Sequence, residues 1–149
     1  MIGWPPTEPM LHLMKLAVGI RDVTHLRDVQ AARLQTDAPL RHRTRNRPRR
    51  AAEILAGGSM YWVIAGAMVV RQAITGIVAD HWEDGSACAG ILLDPTLVPV
   101  AGRAVRAFQG WRYLNPEAAP ADLSRDGRVS GEAELPPQMR EELRRLGLL

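Results

Sequence analysis

The chain has 149 residues and a mass of 16.4 kDa, with 46% hydrophobic and 23% charged residues, the proportions of one soluble globular domain and not of a disordered, collagenous or disulfide-rich chain. Its single cysteine, Cys88, excludes an internal disulfide, a zinc cage of neighbouring thiolates and a Cys-x-x-Cys redox pair. Nineteen Lys plus Arg against sixteen Asp plus Glu give +3, yet Arg41 to Arg50 alone hold six arginines and no acid, which leaves −3 for the rest. The charge is therefore one basic stretch on a slightly acidic body, and a polyanionic partner is sought there. Arginine identity alone carries little, because Lys15 is the only lysine and the many alanines point to a GC-rich coding bias.

Met1 to Pro9 holds three prolines and lacks the basic and apolar regions of a secretory signal, which predicts a flexible extension over residues 1–9 ahead of a single α+β domain over 10–149, with translation starting at Met1 or at Met10. The alternation in Leu11 to Val18, with Leu11, Leu13 and Lys15 opposite His12, Met14 and Leu16, predicts a first strand. Asp22 can cap a helix with Val23, Leu26, Val29 and Leu34 near one face and Arg27, Asp28, Gln30 and Arg33 elsewhere, ending near Asp37 and Pro39. From Leu40 to Arg47 a period of two predicts a strand with Arg41, Arg43, Arg45 and Arg47 on one side and His42, Thr44 and Asn46 on the other, stopped by Pro48.

A short helix follows through Arg50, Ala51, Ile54 and Leu55, with Gly57 as its left-handed cap. Met60 to Val70 is apolar on both faces and predicts one central strand with a bulge or bend at Gly66, resuming over Ile74 to Val78. Ile54 to Val70 is the longest uncharged run, but it holds Gly57, Gly58 and Ser59 and is shorter than the ~20 residues of a membrane-spanning helix, so a soluble, cytoplasmic protein without a membrane partner is expected. Glu83 to Ser86 predict a hairpin turn into Ala87 to Leu93, ended by Asp94 and Pro95. Phe108 to Leu114 reads as a strand or an ordered binding loop, 115–137 as a surface segment, and Pro137 to Leu148 as a closing helix with Met139, Leu143 and Leu146 on one face. The sum is an α+β fold with a mostly antiparallel sheet or partly closed barrel and two or three flanking helices.

His42, Thr44, Arg45, Pro48 and Arg50, then Glu53, Leu55, Gly57, Gly58, Ser59, Tyr61, Trp62, Val63, Ile64 and Gly66, then Arg71, Gln72 and the run FQGWRYL ending at Leu114 are together similar to an alphaproteobacterial family catalogued as domain of unknown function 1489. The resemblance runs from Met10 to Leu149 and implies a small cytoplasmic bacterial protein, with no activity, cofactor or site residue attached. The sequence departs from the family pattern at Ala65, where a lysine is expected. The order of elements also resembles, as a fold-level analogy, the small RNA-binding barrels of the pseudouridine-synthase-and-archaeosine-transglycosylase type.

Arg41, Arg43, Arg45 and Arg47, with Arg49 and Arg50 beyond them, form a ladder able to contact successive phosphates, or else an acid-paired edge strand protected by its charge. Tyr61, Trp62, Phe108, Trp111 and Tyr113 are able to stack bases beside Arg71, Gln72, Gln109 and Arg112, or else to fill the core while Arg71 and Arg112 pair with Glu53, Asp94 or Asp122. His42 and Thr44, near Ser59 if the helix folds back, offer acid–base or nucleophilic chemistry without the spacing of a triad. His12, His25 and His81 are dispersed, so neither a metal nor a cofactor is expected. The expected function is binding of RNA or another polyanion through the arginine-rich strand; the alternatives are an enzyme or binding protein for a phosphorylated or other anionic small molecule, favoured by a pocket joining His42, Arg71 and Arg112, and a protein-interaction module.

Overall fold

A computed structural model describes residues 10–123. The N-terminal extension, most of the segment after Asn115 and the closing helix lie wholly or largely outside these residues.

The architecture is α+β and sheet-rich. Its chain order is β1 (His12–Leu16), α1 (Val23–Thr36), β2 (Arg41–Thr44), α2 (Ala51–Leu55), β3 (Ser59–Ile64), β4 (Ala67–His81), β5 (Ala87–Leu93), β6 (Val98–Ala104) and β7 (Trp111–Leu114), followed by a turn of 3-10 helix at Pro116–Ala118. The strands form one mixed sheet in the order β2-β5-β4-β3-β1-β7, with β6 also paired to β4. Five of the six strand pairs are antiparallel; β1 and β3 run parallel, because α1, β2 and α2 form a crossover between them.

Strand β4 organises the sheet. Its first half lies between β3 and β6, and its second half pairs with β5. Register shifts at Trp62/Val63, at Met68/Val70 and at Ile74/Gly76 bend these ladders and curl the sheet into a half-barrel. The two end strands are then tied by side chains: Trp111 Nε1 of β7 donates to Thr44 Oγ1 of β2 at 3.0 Å, and the amide of Arg50 donates to the Tyr113 hydroxyl at 3.2 Å.

Alternation along the strands divides the apolar residues into two layers. On one face Leu13, Trp62, Val70, Ile74 and Ile91 pack with Val23 and Leu26 of α1 and Ile54 of α2. On the other, Tyr61, Val63, Met68, Val100, Phe108 and Leu114 form a second cluster. Helix α1 begins as expected, with the Asp22 carboxylate accepting from the amide of His25 at 2.8 Å. Gln30, expected away from the apolar face, is buried on it. Gly57 has φ +123, and at Gly58 a β-carbon would lie 2.1 Å from the carbonyl oxygen of Leu11 and 2.7 Å from that of Ile54, so only glycine lets α2 close onto β1.

Three expectations change. The arginine strand ends at Thr44, so Arg45 and Arg47 lie in the loop to α2 and not on a continuous ladder. Val98–Ala104, unassigned from the sequence, is β6. Met60 to Val70 is not one bent strand but the hairpin of β3 and β4, turning at Ala65 and Gly66 with φ of 52° and 83°. Unbroken apolar character hid this turn, because both strands are buried and the turn itself is only two residues long. Two successive positive φ values define the hairpin turn that asparagine followed by glycine suits best, and Ala65 carries the penalty of an L residue in that region. Ala65→Asn is therefore expected to raise stability by about 0.5–1 kcal/mol, seen in urea unfolding as a higher midpoint with an unchanged slope; an unchanged or lower midpoint would contradict the turn.

Candidate anion-binding cleft

The arginines of β2 do not lie open. Pairing with β5 places Arg41 opposite Leu92, His42 opposite Ile91 and Arg43 opposite Gly90, so the two arginines share one face and His42 takes the other. On the arginine face stands Asp80 of β4. Gly90 makes room for it, since a β-carbon there would be 2.8 Å from Asp80 Oδ2. Arg41 Nε donates to Asp80 at 2.5 Å, and its other nitrogens reach the Asp37 carboxylate at 3.2 Å and the carbonyls of Asp37 and Pro39. Arg43 donates to Asp37 at 3.1 Å, with its Nε 3.4 Å from Asp80. Arg50 is held by both oxygens of Glu53 at 2.7 Å and lies over the Tyr113 ring. Arg47 is exposed and donates to the carbonyl of Ile77 at 2.9 Å. Arg45 and Arg49 are exposed and pair with no acid among the described residues.

The aromatic residues do not assemble into one platform, because strand alternation separates them. Trp62, Trp111 and Tyr113 belong to the α1 side of the sheet, whereas Tyr61 and Phe108 belong to the other. Tyr61 is buried, and Arg71 beside it donates to both oxygens of Asp122 at 2.7 Å and to Ser59 Oγ at 3.0 Å. Arg112 lies over the Phe108 ring, and Gln109 is exposed in the loop before β7. Ser59 faces this side, where its amide donates to His12 Nδ1, so it does not meet His42. The pocket that was to join His42, Arg71 and Arg112 therefore does not exist; His42 lies across the sheet from the two arginines.

What His42 does line is a different cleft of about 180 Å³, between α1 and the adjoining ends of β1 and β2. Lys15 and the turn after it form one wall, Gln30 and Arg33 of α1 the second, and Leu40 to His42 the third, with Trp62 and Leu93 also bordering it. Among the described residues no aspartate or glutamate lines it. The Lys15 ammonium has its described hydrogen bond only to the neighbouring Leu16 carbonyl, at 3.1 Å, and burial pushes its pKa down. His42 meets Trp62 edge to face with 6.0 Å between ring centroids. Burial, and then the positive charges of Lys15 and Arg33, lower its pKa to about 4, so the imidazole is neutral at pH 7. By contrast, a wider neighbouring groove bordered by Arg33, Arg41 and His42 also holds Asp37 and Glu83.

One buried side chain positions this cleft. Gln72, proposed from the sequence as a ligand contact, has no exposed surface, and each of its polar atoms is engaged. Its oxygen accepts from Trp62 Nε1 at 2.8 Å and Gln30 Nε2 at 2.9 Å, while its nitrogen donates to Gln30 Oε1 at 2.8 Å and to the Asp94 carbonyl at 3.1 Å. Lys15, Gln30 and Arg33 were not singled out from the sequence as site residues. A signal for Lys15 was present: it is a cation at the inward position of an alternating strand, in register with Leu11 and Leu13.

The chain belongs to the family described as protein of unknown function (DUF1489), whose model matches residues 13–149. No curated protein and no solved structure matches it. Among the described residues, no group of three or more His, Cys, Asp or Glu side chains is placed to hold a metal ion, and no helix is long and apolar enough to cross a membrane.

Asp80 carries a pH signature. Its hydrogen bond from Arg41, reinforced by the amide of His81, holds its pKa at about 2, below the ordinary 3.8. A depressed folded-state pKa gives stability that is full above the unfolded value and lost as pH falls through the folded one. Asp80→Asn should therefore cost about 1–2 kcal/mol at neutral pH, and the gap between the two proteins in urea unfolding should narrow as pH is lowered from 4 towards 2. A gap that does not depend on pH in that interval would exclude the ionised pair as its source.

Proposed function

We propose that this protein binds a small anionic molecule, such as a phosphorylated or carboxylated metabolite, in the cleft between α1 and the adjoining ends of β1 and β2. The observation that carries this reading is that Lys15 and Arg33 border a cleft that no carboxylate of the described residues lines. Two cations near one partly desolvated space favour an anion more strongly than in bulk water. The neutral His42 completes the wall as a hydrogen-bonding group, with Trp62 behind it. As the family resemblance implies, the setting for this activity is the cytoplasm of a bacterium.

The arginine ladder supports a second reading, binding of RNA or another nucleic acid, in a narrower form. Arg41, Arg43, Arg50 and Arg71 are occupied by Asp37, Asp80, Glu53 and Asp122, which removes most of the charge that a phosphate track needs. Arg45, Arg47 and Arg49 remain exposed on the loop between β2 and α2, where a phosphate backbone has access to them.

Isothermal titration with inorganic phosphate and with glycolate, alongside Arg33→Gln, separates the two. The cleft reading expects saturable binding at one site, weakened about tenfold or more in the variant by loss of a charge-assisted contact. Arg33 is exposed on α1, so the variant should fold normally. Failure of both anions to bind, together with salt-sensitive binding of a short single-stranded RNA that is lost on changing Arg45, Arg47 and Arg49 to alanine, would overturn the cleft in favour of the loop.

A further inference from the structure

Lys15 is an unusual residue to find in this wall. It is the only lysine of the chain, it sits where the strand pattern calls for an apolar side chain, and its ammonium meets no carboxylate among the cleft residues. A cation of purely structural value at such a position is expected to pair with an acid, as Arg41, Arg43, Arg50 and Arg71 all do in this molecule. Lys15 has instead Leu16, Leu26, Val29 and Trp62 lining the space with it, and a second cation, Arg33, across that space. Burial among apolar side chains activates an amine as a nucleophile, because it favours the uncharged form, and burial is what lowers the pKa of Lys15.

We propose that Lys15 is a nucleophilic amine which condenses with the carbonyl carbon of a small anionic aldehyde or ketone held in the cleft, forming an imine. The proposal rests on the cleft binding an anion, and adds to it the class of substrate and the bond that forms. In the step itself, the nitrogen lone pair adds to the carbonyl carbon and the carbonyl electrons move to oxygen. One nitrogen proton passes to that oxygen to give a carbinolamine; the carbon–oxygen bond then breaks, the oxygen leaves as water with the second nitrogen proton, and a carbon–nitrogen double bond forms. Amine and carbonyl compound become imine and water, with no oxidant or reductant. Arg33 is placed to hold the anionic group, and His42, uncharged in the adjoining wall, is on hand to carry protons between nitrogen and oxygen.

The test is reductive trapping with cyanoborohydride at pH 7, using glyoxylate as the anionic aldehyde and glycolaldehyde as its uncharged counterpart. Lys15 is the only lysine of the sequence, so peptide mapping by mass spectrometry separates an adduct on its side chain from one on the α-amino group. Lys15 of the folded protein should be modified severalfold faster by glyoxylate than Lys15 of the guanidinium-unfolded chain. The preference for glyoxylate over glycolaldehyde should exceed that of the unfolded chain and be lost in Arg33→Gln. Labelling no faster than in the unfolded chain, in a protein that still binds glycolate by titration, would overturn the imine while leaving the anion site in place. Fast labelling without a preference for glyoxylate would overturn the anionic class of substrate, and absent glycolate binding would then locate that failure in the cleft itself.

Discussion

Gln72 has no exposed surface, and its primary amide offers four hydrogen-bonding positions that an apolar core leaves stranded unless each finds a partner. All four are met, and by three separate parts of the chain: Gln30 on α1, Trp62 on β3 and the Asp94 carbonyl where β5 ends. The reciprocal pair with Gln30 fixes both the rotation of α1 and its position along the sheet, because a sliding helix would break two bonds together. Packing of Val23 and Leu26 against the sheet supplies the attraction; the amide pair selects one docking among the many that apolar contact alone permits. Rotation of α1 in turn places Arg33 at the rim of the cleft. The bond to the indole fixes Trp62, whose edge-to-face contact with His42 lies along one wall.

The electrostatics follow from the same geometry. Six arginines in ten residues look like a polyanion site, but folding distributes their charge by strand parity. Arg41 and Arg43 project to the side where Asp80 stands over Gly90 and where Asp37 closes the end of α1. His42, between them in sequence, projects to the opposite side with Lys15 and Arg33. The basic stretch is thus largely neutralised at its most ordered part, while Lys15 and Arg33, outside that stretch, share a small, partly apolar space that no acid of the described residues lines. Local charge density along the chain and local charge density in the folded molecule point to different places.

Much of the architecture was legible in the residues. The Asp22 cap, the alternation of β1, the glycine after α2 and the hairpin turn at Glu83 to Ser86 are short-range signals, and each appears where it was expected. The fold is α+β as its residues imply, with one parallel pair in the sheet that no local signal announces, since it depends on where a crossover returns. The hairpin at Ala65 and Gly66 was hidden because burial on both faces erases the polar interruption that usually marks a turn, and Ala65 is not a turn residue by type. Val98–Ala104 was hidden because Pro99 and Gly102 weaken its strand signal, and they fit there on a short outer strand. The site was the least legible part. His42 was identified, but Gln30 and Gln72 read as surface polar residues until each finds the other across 42 positions of sequence, and Lys15 and Arg33 join His42 only when α1 folds back over the sheet.

His42 stands half-buried in the cleft beside Lys15 and Arg33, neither of which pairs with an acid among the described residues, and its own titration reports the field of both cations. The imidazole shifts of His42, assigned by comparison with His42→Gln, should be followed by NMR from pH 7.5 downwards, with and without inorganic phosphate. The midpoint should lie at about 4 in the free protein and move upward with phosphate as the anion offsets Lys15 and Arg33. A midpoint near the ordinary 6.5 that phosphate does not move would mean that His42 is solvated and feels neither cation, and the cleft as described would not exist.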